Sequence, residues 1–215
     1  MQDMSDMDNV PDLSKFYGAE SLDALRESYD EWAASYDTDT LALARMLPPT
    51  IAGMAGKHIP NGIRGPVLDV GCGTGLMGSV LSILGYGPLD GLDLSPGMLE
   101  GASRSGVYRK LYEAAAGPDR LAMPDNSYAV AVAAGVFTLG HAGPEAFDEL
   151  LRVMRPSGLI VFSATLPVLD DAFHAKIQTL SDKGRWRLVE ASSPFATALN
   201  SADAPQGRVF VYRVG

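Results

Sequence analysis

Apolar residues recur along this chain in two alternating rhythms. Short buried-strand runs lie at Val67–Val70, Pro88–Leu94, Val107–Ala114, Tyr128–Ala134, Leu159–Ala164, Trp186–Ala191 and Arg208–Val214. Between them, helical spacing appears in Leu76–Leu84, after Ser95-Pro96, in Pro144–Met154 and in Asp170–Lys183. Ser95 is a good N-cap, and proline is tolerated at a first helical position. Ahead of the first strand, Ser21–Ala34 reads as a helix with Leu22, Leu25, Tyr29, Trp32 and then Tyr36 on one face. Thr40–Met54 reads as a second helix, kinked at Pro48-Pro49, and Gly56–Pro66 reads as a linker. Strands alternating with helices predict an open α/β domain. The last two strands are expected to form a hairpin, and their long polar connection, Ser193–Gln206, is suspected of binding substrate or of being disordered.

One stretch organises this pattern. Val67–Gly75 reads Val-Leu-Asp-Val-Gly-Cys-Gly-Thr-Gly, a strand that runs into a glycine turn and then a helix. Such a corner binds anions and nucleotides, because glycine lets a ligand approach the backbone. Asp93 ends the next strand about twenty residues on, where an acid accepts both hydroxyls of a ribose. Two ligand classes fit. Gly73–Gly78 matches the dinucleotide fingerprint and suggests an NAD(P) oxidoreductase. The other reading starts at Asp69 and uses Gly71, Gly73 and Gly75. A carboxylate at the end of a buried strand needs a cation or donors. It would repel a pyrophosphate and attract the ammonium of S-adenosylmethionine, so the second reading is favoured.

Asp-x-Gly-x-Gly-x-Gly from Asp69, followed by Gly91-Leu-Asp-x-Ser-Pro-x-Met-Leu99, resembles motifs I and II of the class I methyltransferases. Tyr29–Asp37 resembles the segment before motif I in a subgroup like the methyltransferase-like protein of the Williams–Beuren deletion region. Leu121–Tyr128 and Arg155–Gly158 resemble the turns before the fourth and fifth strands. This resemblance implies a Rossmann-like α/β/α sandwich whose seven-stranded, mostly parallel sheet ends in an antiparallel last strand, with added N-terminal helices. It also implies S-adenosylmethionine as cofactor and carries Tyr36 into its pocket. Leu94 and Met98 are expected to flank the adenine, and the small residues around Ala115 to let a flat base approach. The family's acid for the adenine amino group is missing there, with Asp119 two residues beyond Gly117. Ala134 and Gly135, at the carboxyl end of a strand, are expected to face the methionine part. Trp32 and Tyr36 are expected to contribute aromatic faces over the sulfonium, a contact worth about 0.5–2 kcal/mol.

Composition narrows the picture. The chain has 215 residues, 47% hydrophobic and 20% charged, which suits one domain over 21–215. Residues 21–56 form its helical lid and 1–20 a loose arm. A net charge of −9 argues against a nucleic-acid substrate. Arg104, Arg109 and Lys110, the nearest basic cluster, read as a solvated helix end and strand start. The single cysteine, Cys72, reads as a small hydrophobe in the turn and points to a reducing, cytoplasmic setting. No apolar run reaches the length of a membrane span, and no signal peptide is recognised. No metal-ligand spacing is present. Methyl transfer from a sulfonium is an in-line displacement, so a base is needed only where the acceptor must lose a proton. His141, after the fourth strand, and Tyr36 are the candidates. The acceptor is expected to be a small molecule and the assembly a monomer or homodimer. A non-catalytic protein that keeps the cofactor pocket is a third possibility.

Overall fold

The computed structural model describes residues 18–59 and 65–215. The expected arm lies almost wholly outside them, as do residues 60–64 of the expected linker. Among the described residues three helices precede the sheet: α1 (Leu22–Trp32), α2 (Tyr36–Ala42) and α3 (Leu47–His58). There follow β1 (Val67–Val70), α4 (Leu76–Ile83), β2 (Leu89–Asp93), α5 (Pro96–Ser105), β3 (Tyr108–Glu113) and β4 (Tyr128–Phe137). The chain closes with α6 (Ala146–Val153), β5 (Met154–Thr165), α7 (Asp171–Asp182), β6 (Trp186–Ala191), β7 (Phe195–Ala196) and β8 (Gln206–Val214).

The sheet order is β3-β2-β1-β4-β5-β8-β6, with the two-residue β7 pairing beside β8. β1 to β5 are mutually parallel, and β8 runs antiparallel to both of its long neighbours, β5 and β6. The fold is thus the expected open α/β sheet with an antiparallel last strand, extended by β7 to eight strands. Period-two alternation divides the core. Val130 and Val132 of β4 pack on one face with Ile51 of α3 and Leu81 of α4. Ala131 and Ala133 face the other way, towards Phe147 of α6, Phe162 and Trp186. Small β4 residues on that face leave room for the aromatic group, in which Phe147 lies 4.6 Å from Phe137 and 4.9 Å from both Phe162 and Trp186.

The structure corrects several boundaries. Thr40–Met54 is not one kinked helix. The chain leaves α2 at Leu43, and Pro48 and Pro49 open α3. A proline lacks an N–H that the first helical turn leaves unpaired in any case, so the break falls before the pair. α3 then runs to His58, into the expected linker. The Arg155–Gly158 turn is absorbed into β5 as an irregularity: Tyr128 pairs with Met154 and Val130 with Leu159, with Ser157 at φ +65° between. The Ser193–Gln206 connection is partly structured, and neither cleft described below takes a lining residue from it. β7 pairs with β8 inside it, and Thr197 and Ala198 are buried. Arg104 and Arg109 are tied to Glu100 and Asp90 respectively. Among the described residues no helix is long and apolar enough to cross a membrane.

Phe147→Ala is expected to cost about 3–5 kcal/mol, the usual penalty for emptying a buried aromatic site, read as a lower midpoint in urea unfolding.

Candidate functional site

The site forms where β1 and β2 end. Gly71 and Gly73 hold φ +64° and +54°, left-handed values that glycine adopts without strain. A Cβ on Gly71 would lie 2.5 Å from the Val136 side chain, so the turn passes too close to β4 for any other residue. The turn is fixed from β2. Asp93 Oδ2 accepts the Gly73 N–H at 2.8 Å and Oδ1 accepts the Ser95 N–H at 2.9 Å. Burial pushes the Asp93 carboxyl above the usual carboxylate range, and the two amides draw it back. A carboxylate has about four acceptor positions. With two taken, Asp93 keeps capacity for the vicinal hydroxyls of a ribose, and it lines the cleft.

Asp69 has a different place from the one its charge suggested. It is fully buried beneath the turn and does not line the cleft. Tyr108 of β3 donates its hydroxyl to Asp69 Oδ2 at 2.6 Å, and Oδ1 has no hydrogen-bond partner among the described residues. Gly78 makes this pair possible, since a Cβ there would lie 2.1 Å from the Tyr108 hydroxyl. The third glycine of the dinucleotide spacing therefore serves α4–β3 packing. Gly75 likewise abuts Ser105 and Tyr108, away from the cleft. Cys72 is buried, points towards Gly91 and lies off the first cleft. Burial pushes its thiol far above the ordinary range, so it behaves as the expected hydrophobe.

Helices α1 and α2 reach the turn through the Tyr29–Asp37 string. Asp30 Oδ1 accepts the Gly97 N–H at 2.9 Å and the Ser95 hydroxyl, docking α1 on the start of α5. Asp37 accepts the Thr74 hydroxyl, docking α2 on the β1–α4 turn. Tyr29 meets His141 Nε2 at 2.6 Å. His141 Nδ1 lies 2.8 Å from the Leu139 carbonyl, which can only accept; Nδ1 therefore carries the proton and Nε2 accepts from Tyr29. Burial lowers the His141 pKa, and the Arg45 charge lowers it further, so the ring is neutral. Trp32 donates to Asp39 at 2.6 Å, stacks on Tyr29 and meets Tyr36 edge-on. It supports the aromatic wall from behind and does not itself line the cleft.

The cleft encloses about 730 Å³, part of it open to solvent. Gly71, Gly73 and Asp93 form its floor. Leu94, Met98 and Ala114–Ala116 form one wall, and Ala134, Gly135, Tyr36 and His141 the other. Asp119 is exposed and does not line it, so no acid stands by the adenine seat. A second, largely apolar cavity of about 1190 Å³ opens beyond Tyr36, between α2, α3 and α4. Its lining shares Tyr36, Arg45, Gly71, Gly73 and Ala134 with the first. The free acceptor positions of Asp93, the alanine wall and the exposed Gly73 backbone fit an adenosine moiety. Among the described residues no cluster of three or more His, Cys, Asp or Glu could hold a metal ion.

Residues 68–162 match the model of the methyltransferase domain family. The human methyltransferase-like protein 27 is 31% identical over 163 residues, spanning 74% of this chain and 66% of the relative. The malonyl-[acyl-carrier protein] O-methyltransferase of Serratia marcescens is 31% identical over 155 residues, spanning 70% and 57% respectively. The chain thus spans just under two thirds of the first curated relative and just over half of the second. Over 68–162 it carries the methyltransferase domain, and it resembles the class I S-adenosylmethionine-dependent methyltransferases. The fold agrees: a TehB-like S-adenosylmethionine-dependent methyltransferase from Corynebacterium glutamicum superposes with a TM-score of 0.63 at 19% identity, over 88% of this chain and 100% of that one. S-adenosylmethionine is accordingly the cofactor of this fold, and the nicotinamide reading of Gly73–Gly78 loses its support.

Reading the sequence did not single out Asp30 and Asp37, which dock α1 and α2 on the turns, or Arg45, which lines both cavities. The two aspartates carried a signal, since each follows a tyrosine in the Tyr29–Asp37 string. Arg45 carried none, lying within what reads as a continuous helix.

Burial lifts the Asp69 pKa from 3.8 to about 7. Its neutral form is the one the fold favours. That contribution is complete below about pH 4 and is lost as the pH rises through about 7. Asp69→Asn is expected to flatten the pH dependence of urea-unfolding stability over this window, by an amount on the order of 4 kcal/mol at most.

Proposed function

We propose that this protein transfers a methyl group from S-adenosylmethionine to a small-molecule acceptor. The observation that carries the reading is Asp93, which ties both glycine-turn and α5 amides and still faces the cleft with open acceptor positions. When bound, the cofactor supplies a methyl group on an already activated sulfonium. The protein's own residues have the task of seating and enclosing it. In this reading Asp93 holds the ribose, Leu94, Met98 and Ala115 enclose the base, and Gly71, Gly73, Ala134 and Gly135 border the amino-acid end. Tyr36 stands where the two cavities meet and orients the acceptor. Burial raises its phenol pKa and Arg45 draws it down. His141, with both nitrogens engaged, holds the lid rather than acting as a free base. Asp69 acts beneath the turn, through Tyr108, and not on the ligand's ammonium.

An acceptor that enters between α2 and α4 is held in line with the methyl group. Such positioning is worth about 7–11 kcal/mol in well-oriented systems. The O-methyltransferase activity named for the Serratia relative is consistent with this reaction type. The acidic net charge favours a small acceptor over nucleic acid. The lone buried Cys72 suits a reducing, cytoplasmic compartment. We take the helical segment from 21 to 56 as the lid of a single domain, in a monomer or homodimer.

A screen of small-molecule acceptors, read by release of S-adenosylhomocysteine, tests the activity; S-adenosylhomocysteine binding without turnover on any acceptor favours a pocket that has lost catalysis. Asp93→Ala is expected to weaken S-adenosylhomocysteine more than about tenfold by calorimetry, since it removes charge-assisted hydrogen bonds of about 1.5–3 kcal/mol each. Unchanged affinity sinks the assignment. Tyr29→Phe cuts the contact to His141, and the dissociation rate of S-adenosylhomocysteine is expected to rise several-fold in stopped-flow, about the effect of one net hydrogen bond of ~1 kcal/mol.

A further inference from the structure

Arg45 has no role in the reading above. Among the described residues its guanidinium enters no ion pair and no side-chain hydrogen bond. Arg185 and Arg187 likewise enter no ion pair among the described residues, but they are exposed to solvent, whereas Arg45 is not. The side chain is half-buried and lines both cavities. A Cβ on Gly135 would lie 3.3 Å from its Nη2, which places the guanidinium over the carboxyl end of β4. Its charge also reaches Tyr36 and His141, which line the first cleft with it.

The backbone around Arg45 is built to stay put. Ala44 takes φ +50°, and the chain there runs against the connection between β6 and β8. Met46 N–H donates to the Thr197 carbonyl at 2.9 Å, and Arg45 bridges to Ala198. Leu199 N–H donates to the Ala44 carbonyl at 3.3 Å and Asn200 N–H to the Leu43 carbonyl at 3.2 Å. A long cation is thus presented from a fixed root, which reduces the entropy lost when it grips a ligand.

The second cavity supplies the rest of the chemistry. Leu41, Leu47, Pro48, Met77 and Val80 give it apolar walls, and its acid, Asp37, is committed to Thr74. Arg45 is the basic group in its lining. A guanidinium fork matches a carboxylate in two parallel hydrogen bonds.

Resting on the methyltransferase reading, we propose that the acceptor is a carboxylic acid with an apolar body, its body in the second cavity and its carboxylate on Arg45. The cofactor's own carboxylate offers the same chemistry, and the test separates the two sources. Octanoate and octanamide are titrated into the protein loaded with S-adenosylhomocysteine. The acid is expected to bind at least about tenfold tighter than the amide. Arg45→Met, with its melting temperature checked, is expected to erase that preference while S-adenosylhomocysteine affinity stays within about twofold. Equal binding of acid and amide, or of neither, overturns the proposal. So does an Arg45→Met variant that loses S-adenosylhomocysteine but keeps 5′-methylthioadenosine, which has no carboxylate; the guanidinium then serves the cofactor. Failure of S-adenosylhomocysteine to bind the unaltered protein sinks the methyltransferase reading instead. The acid–amide comparison is then made on the ligand-free protein, where the same two results decide it.

Discussion

One carboxylate holds the ligand-binding end of this molecule together. Asp93 takes an amide from the turn after β1 and another from the turn after β2. Two loops that need glycine or proline for their shape are thereby locked to a single point. Either loop alone would have several conformations close in energy. The cost is a charge in a partly dry place, which two charge-assisted hydrogen bonds offset. The neighbouring carboxylate, Asp69, works in the opposite sense. Burial holds it towards its neutral form, one oxygen accepts from Tyr108 while the other has no hydrogen-bond partner among the described residues, and it braces β1 against β3 from below.

The lid obeys the same logic at longer range. α1 is amphipathic, but the residues it fully buries are only Leu25 and Trp32. Its attachment is polar: Asp30 at the start of α5, Asp37 on Thr74, and Tyr29 on His141. These links are polar, so the helices are held over the turns without a large apolar interface.

The centre of the parallel sheet was legible because β1, β2 and β4 are short apolar runs and the turns after β1 and β2 have glycine or a capping serine. Ser95 caps α5 as its sequence position implies. The meaning of Asp69 was not legible. A strand-end acid in sequence cannot reveal that Tyr108, 39 positions later, will reach it through the gap left by Gly78. Arg45 was hidden for a related reason. Leu41, Leu43, Leu47 and Ile51 keep a helical apolar rhythm, and the break between α2 and α3 is imposed by tertiary contacts with residues 197–200, far along the chain. Local periodicity reports a preference that a distant partner can override. The aromatic stack around Phe147 likewise brings together residues from five elements that no local pattern connects.

The clasp between residues 43–46 and 197–200 has a consequence for biogenesis. The strands that carry the glycine turns leave the ribosome early and pair in parallel with near neighbours. The wall that completes their cavity is fastened by a segment made more than 150 positions after the lid begins. Contacts of such long separation form late, because chain closure must precede them. A nascent chain therefore exposes an unfinished crevice until the final hairpin docks, and cofactor capture marks the end of folding rather than its start.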